Sequence, residues 1–220
     1  MPASSRATLT TIFWDVDTQV DFLHPQGKLY VPGAEKIIPN LGRLTQWACA
    51  HGILVVASMD AHREGDAEFH VYPSHCLVGT PGQQKVPETR LPRYLIIPNH
   101  PVSAAVRLDG CQQVILEKQQ LDVFSNPNTE ALLAALGKPL QVVLYGVVTE
   151  ICVAFAARGL LDRGHHVWLV RDAVRHLDEA KACDLVEEVE HHSGRLVTAD
   201  DVVGGGILAV PPDRRNVVGR

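Results

Sequence analysis

Three absences delimit this 220-residue chain. It has no Cys-x-x-Cys pair, and its five cysteines, Cys49, Cys76, Cys111, Cys152 and Cys183, are odd in number and widely spaced. That pattern excludes a disulfide framework and a closed thiolate zinc knuckle, so most of the thiols are expected to pack as small apolar groups. No apolar run approaches the roughly 20 residues that cross a bilayer, and the opening segment 1–8 lacks an apolar signal-peptide core. Excess positive charge is missing too, since 20 Lys and Arg stand against 25 Asp and Glu. A basic footprint for nucleic acid is therefore absent. The expectation is a soluble cytoplasmic protein with neither nucleic acid nor membrane as partner.

What is present is a mix that is 46% hydrophobic and 20% charged. A chain of this size hides roughly 70% of its unfolded surface, enough for a core without metal or disulfide staples. Short apolar runs at 11–16, 53–58, 94–97, 114–117, 141–145 and 166–170 read as strands. Between and after them, 34–51, 129–136, 150–163 and 177–191 carry apolar residues at three-to-four spacing and read as helices. Gly52, Gly137 and Gly164 each close a helical stretch before a strand, where a left-handed cap suits glycine.

The alternation predicts one three-layer α/β/α domain over 11–203, with an open, mainly parallel, Rossmann-like sheet of about six strands. Segments 1–10 and 204–220 read as terminal tails. The stretch 61–92 is punctuated by Pro and Gly and holds His62, His70 and His75. Loops this long in a compact domain are usually functional or disordered, and the histidines favour function.

Ligands of open parallel sheets bind beyond the carboxyl ends of the strands. Asp17 follows the first strand, Asp60 and His62 the second, Lys118 the fourth, and Cys152 the fifth. Thr149 as N-cap would set Cys152 at the third helical position, where unpaired backbone N–H groups and the helix dipole lower a thiol pKa. Asp17 could take and return a proton, and Lys118 could bias both toward their charged forms. Each of these residues alone also fits a packed cysteine or a solvated strand end; the convergence is the signal.

Asp60 and His62 alternate on one face of an extended segment, and His75 follows thirteen residues on. A carboxylate and two imidazoles suit zinc, manganese or iron and leave positions open. Asp66, Glu68 and His70 lie nearby as alternative or outer ligands, and a solvated polar loop is the plainer reading.

These residues resemble a known family. Asp17-Thr-Gln-Val-Asp21-Phe22 is similar to the D-x-Q-x-D-F opening of the nicotinamidase and isochorismatase-like cysteine hydrolases. Gly146-Val-Val-Thr-Glu-Ile-Cys152-Val is similar to their G-x-x-T-[DE]-x-C-V nucleophile segment, with Lys118 between the two as the family lysine is. Asp60-x-His62 followed by Tyr72-Pro-Ser-His75-Cys76 resembles the metal segment of the nicotinamidase branch.

The resemblance implies a triad of Cys152, Asp17 and Lys118 and a cis peptide between Val147 and Val148. It also implies an oxyanion hole from the N–H groups of Val148 and Cys152. A divalent metal, zinc first, would sit on Asp60, His62 and His75, while Phe22 and Tyr72 would flank a flat amide substrate. A homo-oligomer, dimer or tetramer, is also implied. Tyr72 stands where tryptophan is frequent, Val148 where alanine is, and the run after Lys118 lacks the aromatic-Ser-aromatic pattern. Those departures leave the chemistry and shift the substrate. Other amides, ureido compounds, an isochorismatase-like reaction, or a thiol redox sensor using Cys76 as resolving cysteine stay open.

Overall fold

The computed structural model describes residues 9–102, 108, 110–192 and 194–205. Most of both terminal tails lies outside them. Among the described residues, seven strands form one sheet: β1 (Thr10–Val16), β2 (Val55–Asp60), β3 (Tyr94–Ile97), β4 (Gln113–Lys118), β5 (Leu140–Val147), β6 (His166–Arg175) and β7 (Arg195–Val197). Their order is β3-β4-β2-β1-β5-β6-β7, and every pair is parallel. The sequence expectation of six strands therefore falls one short. Only three residues long and half-buried throughout, β7 offers no apolar run to read.

The helices are α1 (Val20–Leu23), α2 (Ile38–Ala50), α3 (Thr129–Leu136), α4 (Ala154–Asp162), α5 (Glu179–His191) and α6 (Ala199–Val203). Strand periodicity explains how they layer. Ile12, Trp14 and Val16 of β1 point into a core shared with α3, α4 and α5, whereas Phe13 points into a second core with α1, α2 and α6. With both faces covered, β5 is buried along its whole length and β1 from Ile12 onward. On α2 the spacing of Leu41, Leu44 and Ala48 puts all three against the sheet. Burying each leucine contributes roughly 1.5–3 kcal/mol, so packing of this face against the sheet is the main source of the helix's stability.

The chain builds β2, β3 and β4 to one side of β1 and β5, β6 and β7 to the other, so the strand order reverses beside β1. Such a reversal leaves a crevice at the carboxyl ends. Register aligns those ends: Val16 lies opposite Ser58 and Gly146, and Asp60 opposite Lys118. Gly146 is required there, because a Cβ would come within 2.1 Å of the Val16 carbonyl oxygen and its φ is +124°.

Segment 61–92 is more ordered than its composition suggests, holding three short 3-10 turns at Ala67–His70, Pro81–Gln83 and Pro87–Thr89. Side chains from the first strand end hold it. Gln19 donates to the carbonyls of Asp60 and Gln83 and accepts from the Asp60 N–H. Asp21 accepts from the N–H groups of Lys28 and Cys76. Buried Lys85 reaches Asp15 at 2.9 Å and Thr18 at 2.8 Å.

Candidate active site

Asp17 leaves β1 with φ +49°, a left-handed conformation that costs a non-glycine residue about 1–2 kcal/mol. The surroundings hold it there. Ser58 Oγ donates to Asp17 Oδ1 at 2.7 Å, and Lys118 Nζ sits 2.9 Å from Asp17 Oδ2. Lys118, 1% exposed, also ion-pairs with Asp60 Oδ1 and lies 3.7 Å from Cys152 Sγ. One buried ammonium thus touches two carboxylates and a thiol, which is why it stays charged: burial favours the neutral amine, and the two carboxylates overcome it, raising its pKa.

Cys152 lies in a π-turn, Thr149–Val153, entered from an extended Val148 and running into α4. The Val147–Val148 peptide is cis, as the resemblance implied. Two local expectations fail. The turn begins at Thr149 itself, so Val148 occupies the cap, and the buried Thr149 hydroxyl makes no hydrogen bond. Nor is the thiol acidified. Burial pushes it up, and although Lys118 pulls it down, Asp17 and Asp60 add to the rise and leave the pKa well above the ordinary cysteine value. Asp17 is shifted upward too, by burial first and by Asp60, against the pull of Lys118. The resting pair is a neutral thiol facing a carboxylate of increased basicity.

Next to this pair, donor atoms of Asp60, His62, Glu68 and His75 all lie within 4.8 Å of one another. Nε2 of His62 is 3.8 Å from Asp60 Oδ2 and 3.9 Å from Glu68 Oε1; Nε2 of His75 is 3.7 Å from each. A tetrahedral ion bound at ordinary zinc distances separates its ligands by about 3.4 Å, so these four contacts stand a few tenths of an ångström wide of a closed site, and the full set, spread within 4.8 Å, would draw in around an ion. Both Nε2 atoms are buried and lack a protein partner. Leaving such a group unsatisfied costs roughly 1–3 kcal/mol, which a cation relieves. The opposite ring nitrogens are held, His62 Nδ1 by Asp66 at 3.1 Å and His75 Nδ1 by the Pro73 carbonyl at 2.7 Å, the support a metal-binding imidazole needs. Residues and geometry fit a divalent metal.

The sequence placed Asp60, His62 and His75 there; Glu68 it named only as an alternative, and His70 is exposed and outside the group. Asp60 joins both halves of the site, giving Oδ1 to Lys118 and turning Oδ2 to the imidazoles. Burial alone would raise its carboxyl, but Lys118 and the histidines hold it below the ordinary value.

Above these groups opens a pocket of about 580 Å³, counting its mouth. Cys152, Val148, Asp60, Glu68 and His75 line it together with Phe22, Tyr30, Tyr72, Leu121 and Leu177. Phe22 also packs on the His75 ring, centroids 5.3 Å apart. The two aromatic residues expected beside a substrate, Phe22 and Tyr72, thus both face the pocket. Cys76, the candidate resolving cysteine of the redox alternative, is buried, donates toward the Gly82 carbonyl and does not line it. Gln19, Asp21 and Ser58 were not picked out singly from the sequence. Two of them, Gln19 and Asp21, lie in the opening motif, which was the available signal.

An open parallel sheet thus carries a buried thiol, carboxylate and ammonium at its strand ends, beside a metal-type donor group. The isochorismatase domain model matches residues 12–109 and 100–201, and the chain belongs to the isochorismatase family. A streptothricin hydrolase of Streptomyces noursei is 30% identical over 175 residues, 79% of this chain and 52% of that protein, so the chain spans about half its length. A pyrazinamidase of Pyrococcus horikoshii, solved in complex with zinc, superposes with TM-score 0.71 at 28% identity, covering 86% of this chain and 99% of the other. An N-carbamoylsarcosine amidase from Thermoplasma acidophilum shares the fold at TM-score 0.70 and 24% identity over 87% of this chain and 98% of its own.

Proposed function

We propose that the chain is a cysteine amidohydrolase of small planar amides, with nicotinamide, giving nicotinate and ammonia, the first substrate to test. The observation that carries this reading is the buried grouping of a neutral Cys152 thiol with Asp17 and Lys118 beside a pocket lined by Cys152, Phe22, Tyr30 and Tyr72.

Asp17 takes the Cys152 proton, and the thiolate attacks the amide carbonyl carbon. The N–H groups of Val148 and Cys152 hold the resulting oxyanion, a contribution worth on the order of 3 kcal/mol per donor in such sites. The tetrahedral centre collapses, the C–N bond breaks, and Asp17 returns its proton to the departing ammonia. Asp17 then takes a proton from water, the hydroxide attacks the thioester, and the C–S bond breaks to release the acid and regenerate the thiol. Lys118 remains protonated throughout and keeps the carboxylate and the developing thiolate from being isolated buried anions.

Asp60, His62, Glu68 and His75 would hold a divalent cation, which when bound supplies a Lewis-acid contact for a ring nitrogen or a water. Zinc is favoured because two imidazoles and two carboxylates suit it and because the pyrazinamidase of Pyrococcus horikoshii was solved with zinc. Purified protein is expected to bind about one Zn²⁺ per chain in calorimetric titration. A His62→Ala/His75→Ala variant is expected to bind at least about 100-fold more weakly. Equal affinity of the two proteins would remove the metal from the reading.

Ammonia release from nicotinamide, benzamide, a maleamate-type amide and an N-carbamoyl compound separates the reading from its relatives. Turnover of nicotinamide above the others is expected; preference for the ureido substrate would move the assignment, and no release from any would overturn it. The pH profile is a second check. Catalysis needs Asp17 ionised, and its raised pKa means that protonation begins at higher pH than for an ordinary aspartate. The acid limb of kcat/KM, where rate is lost as pH falls, is therefore expected above the usual aspartate range. An acid limb at or below that range would show that a different group is the base.

A further inference from the structure

The nucleophile motif contains an acidic residue, Glu150, that the chemistry above leaves unused. We propose that Glu150 is a positioning residue that fastens a substrate-selecting wall, residues 175–178, to the turn carrying Cys152. Its Oε1 accepts the N–H of Leu177 at 2.9 Å and that of Asp178 at 2.7 Å. Leu177 lines the pocket although 56% exposed, so it forms part of the rim and owes its place to its backbone rather than to packing.

The same short segment is anchored on its other side. Arg175 Nε donates to the Pro32 carbonyl at 2.7 Å, in the loop that presents Leu29, Tyr30 and Val31 to the pocket. Segment 175–178 is therefore tied to that loop, and Glu150 ties it to a turn whose own Val148, Ile151 and Cys152 also line the pocket. Glu150 Oε2 makes no hydrogen bond, so one oxygen carries both contacts. A glutamine amide can supply the same acceptor, and alanine cannot.

This inference rests on the pocket being the substrate site, but its test does not require a substrate. Alkylation of Cys152, read by peptide mass spectrometry, is compared for compact iodoacetamide and bulky N-phenylmaleimide. Releasing the wall is expected to raise the bulky-to-compact rate ratio by at least about fivefold in Glu150→Ala and in Leu177→Ala, with Glu150→Gln within about twofold of the parent. A parental ratio in Glu150→Ala alongside a raised ratio in Leu177→Ala would overturn the positioning role. A parental ratio in Leu177→Ala would overturn the wall itself. Should Glu150→Ala fail to fold, Glu150→Asp, one methylene too short to keep both contacts, replaces it with the same expectation. Where an amide is turned over, Glu150→Ala is further expected to raise KM with kcat largely kept. Absence of turnover in the parent would count against the amidase reading and leave the alkylation result standing.

Discussion

Cys152→Ala is expected to lower kcat/KM for amide hydrolysis by on the order of 10⁴-fold or more while leaving the fold intact. The size of the effect follows from the division of labour in the site. The thiol is held neutral by burial and by Asp17 and Asp60, and only proton transfer to Asp17 makes it nucleophilic. Without sulfur there is no acyl intermediate, and Asp17 would have to drive water directly at an amide, which the oxyanion donors alone do not make fast. Structurally the change removes one buried atom in a turn flanked by strand and helix, so the thermal midpoint is expected to move by only a few degrees. Ammonia release and a melting curve on the same sample check both halves. Retention of parental turnover would remove Cys152 from the mechanism, and global unfolding would call for Cys152→Ser instead, with the same loss expected.

Replacing Lys118 with methionine is expected to cost about 3–5 kcal/mol of stability, read from urea unfolding, and to abolish activity. Methionine keeps much of the aliphatic stem, so the loss is electrostatic rather than a cavity. The ammonium is the cation paired with two buried carboxylates, Asp17 and Asp60, and deleting it strands both anions in a medium that stabilises neither. The sign with pH follows. Without Lys118 the folded-state pKa of Asp17 moves further above its unfolded value, so stability contributed by the protonated form is present at low pH and is lost as pH rises through that pKa. The variant is thus expected to gain stability on acidification relative to the parent. Adding Asp17→Asn to Lys118→Met is expected to recover part of the loss, because one stranded charge is removed. A cost below about 1 kcal/mol, with no pH dependence, would mean that water reaches the pair and that the site is less enclosed than its geometry indicates.

Legibility differed from residue to residue. The positions of Asp17, Asp60, Lys118 and Cys152 could be read because a parallel sheet delivers every strand's carboxyl end to one edge, so residues just past apolar runs must meet. The two-residue spacing of Asp60 and His62 showed a shared face for the same reason. By contrast, β7 was missed because three half-buried residues carry no periodicity. The weight of Glu68 was hidden because a short 3-10 turn, which nothing in the composition signals, brings it back over His62 and His75. Glu150 read as one more acidic residue beside a cysteine until the β6–α5 connection brought two N–H groups to it.

The amino-acid sequence by itself determined the layered parallel architecture, the identities of the candidate nucleophile, base and cation, and a metal-type donor set, since these depend on local pattern and on topology. Tertiary structure alone decided the charge states. A helix terminus by itself would acidify Cys152, and the folded protein does the reverse, because desolvation by the surrounding core and two nearby carboxylates outweighs Lys118. That balance arises from groups up to 135 residues apart, from Asp17 to Cys152, packed in a low-dielectric interior, and no window of sequence contains it.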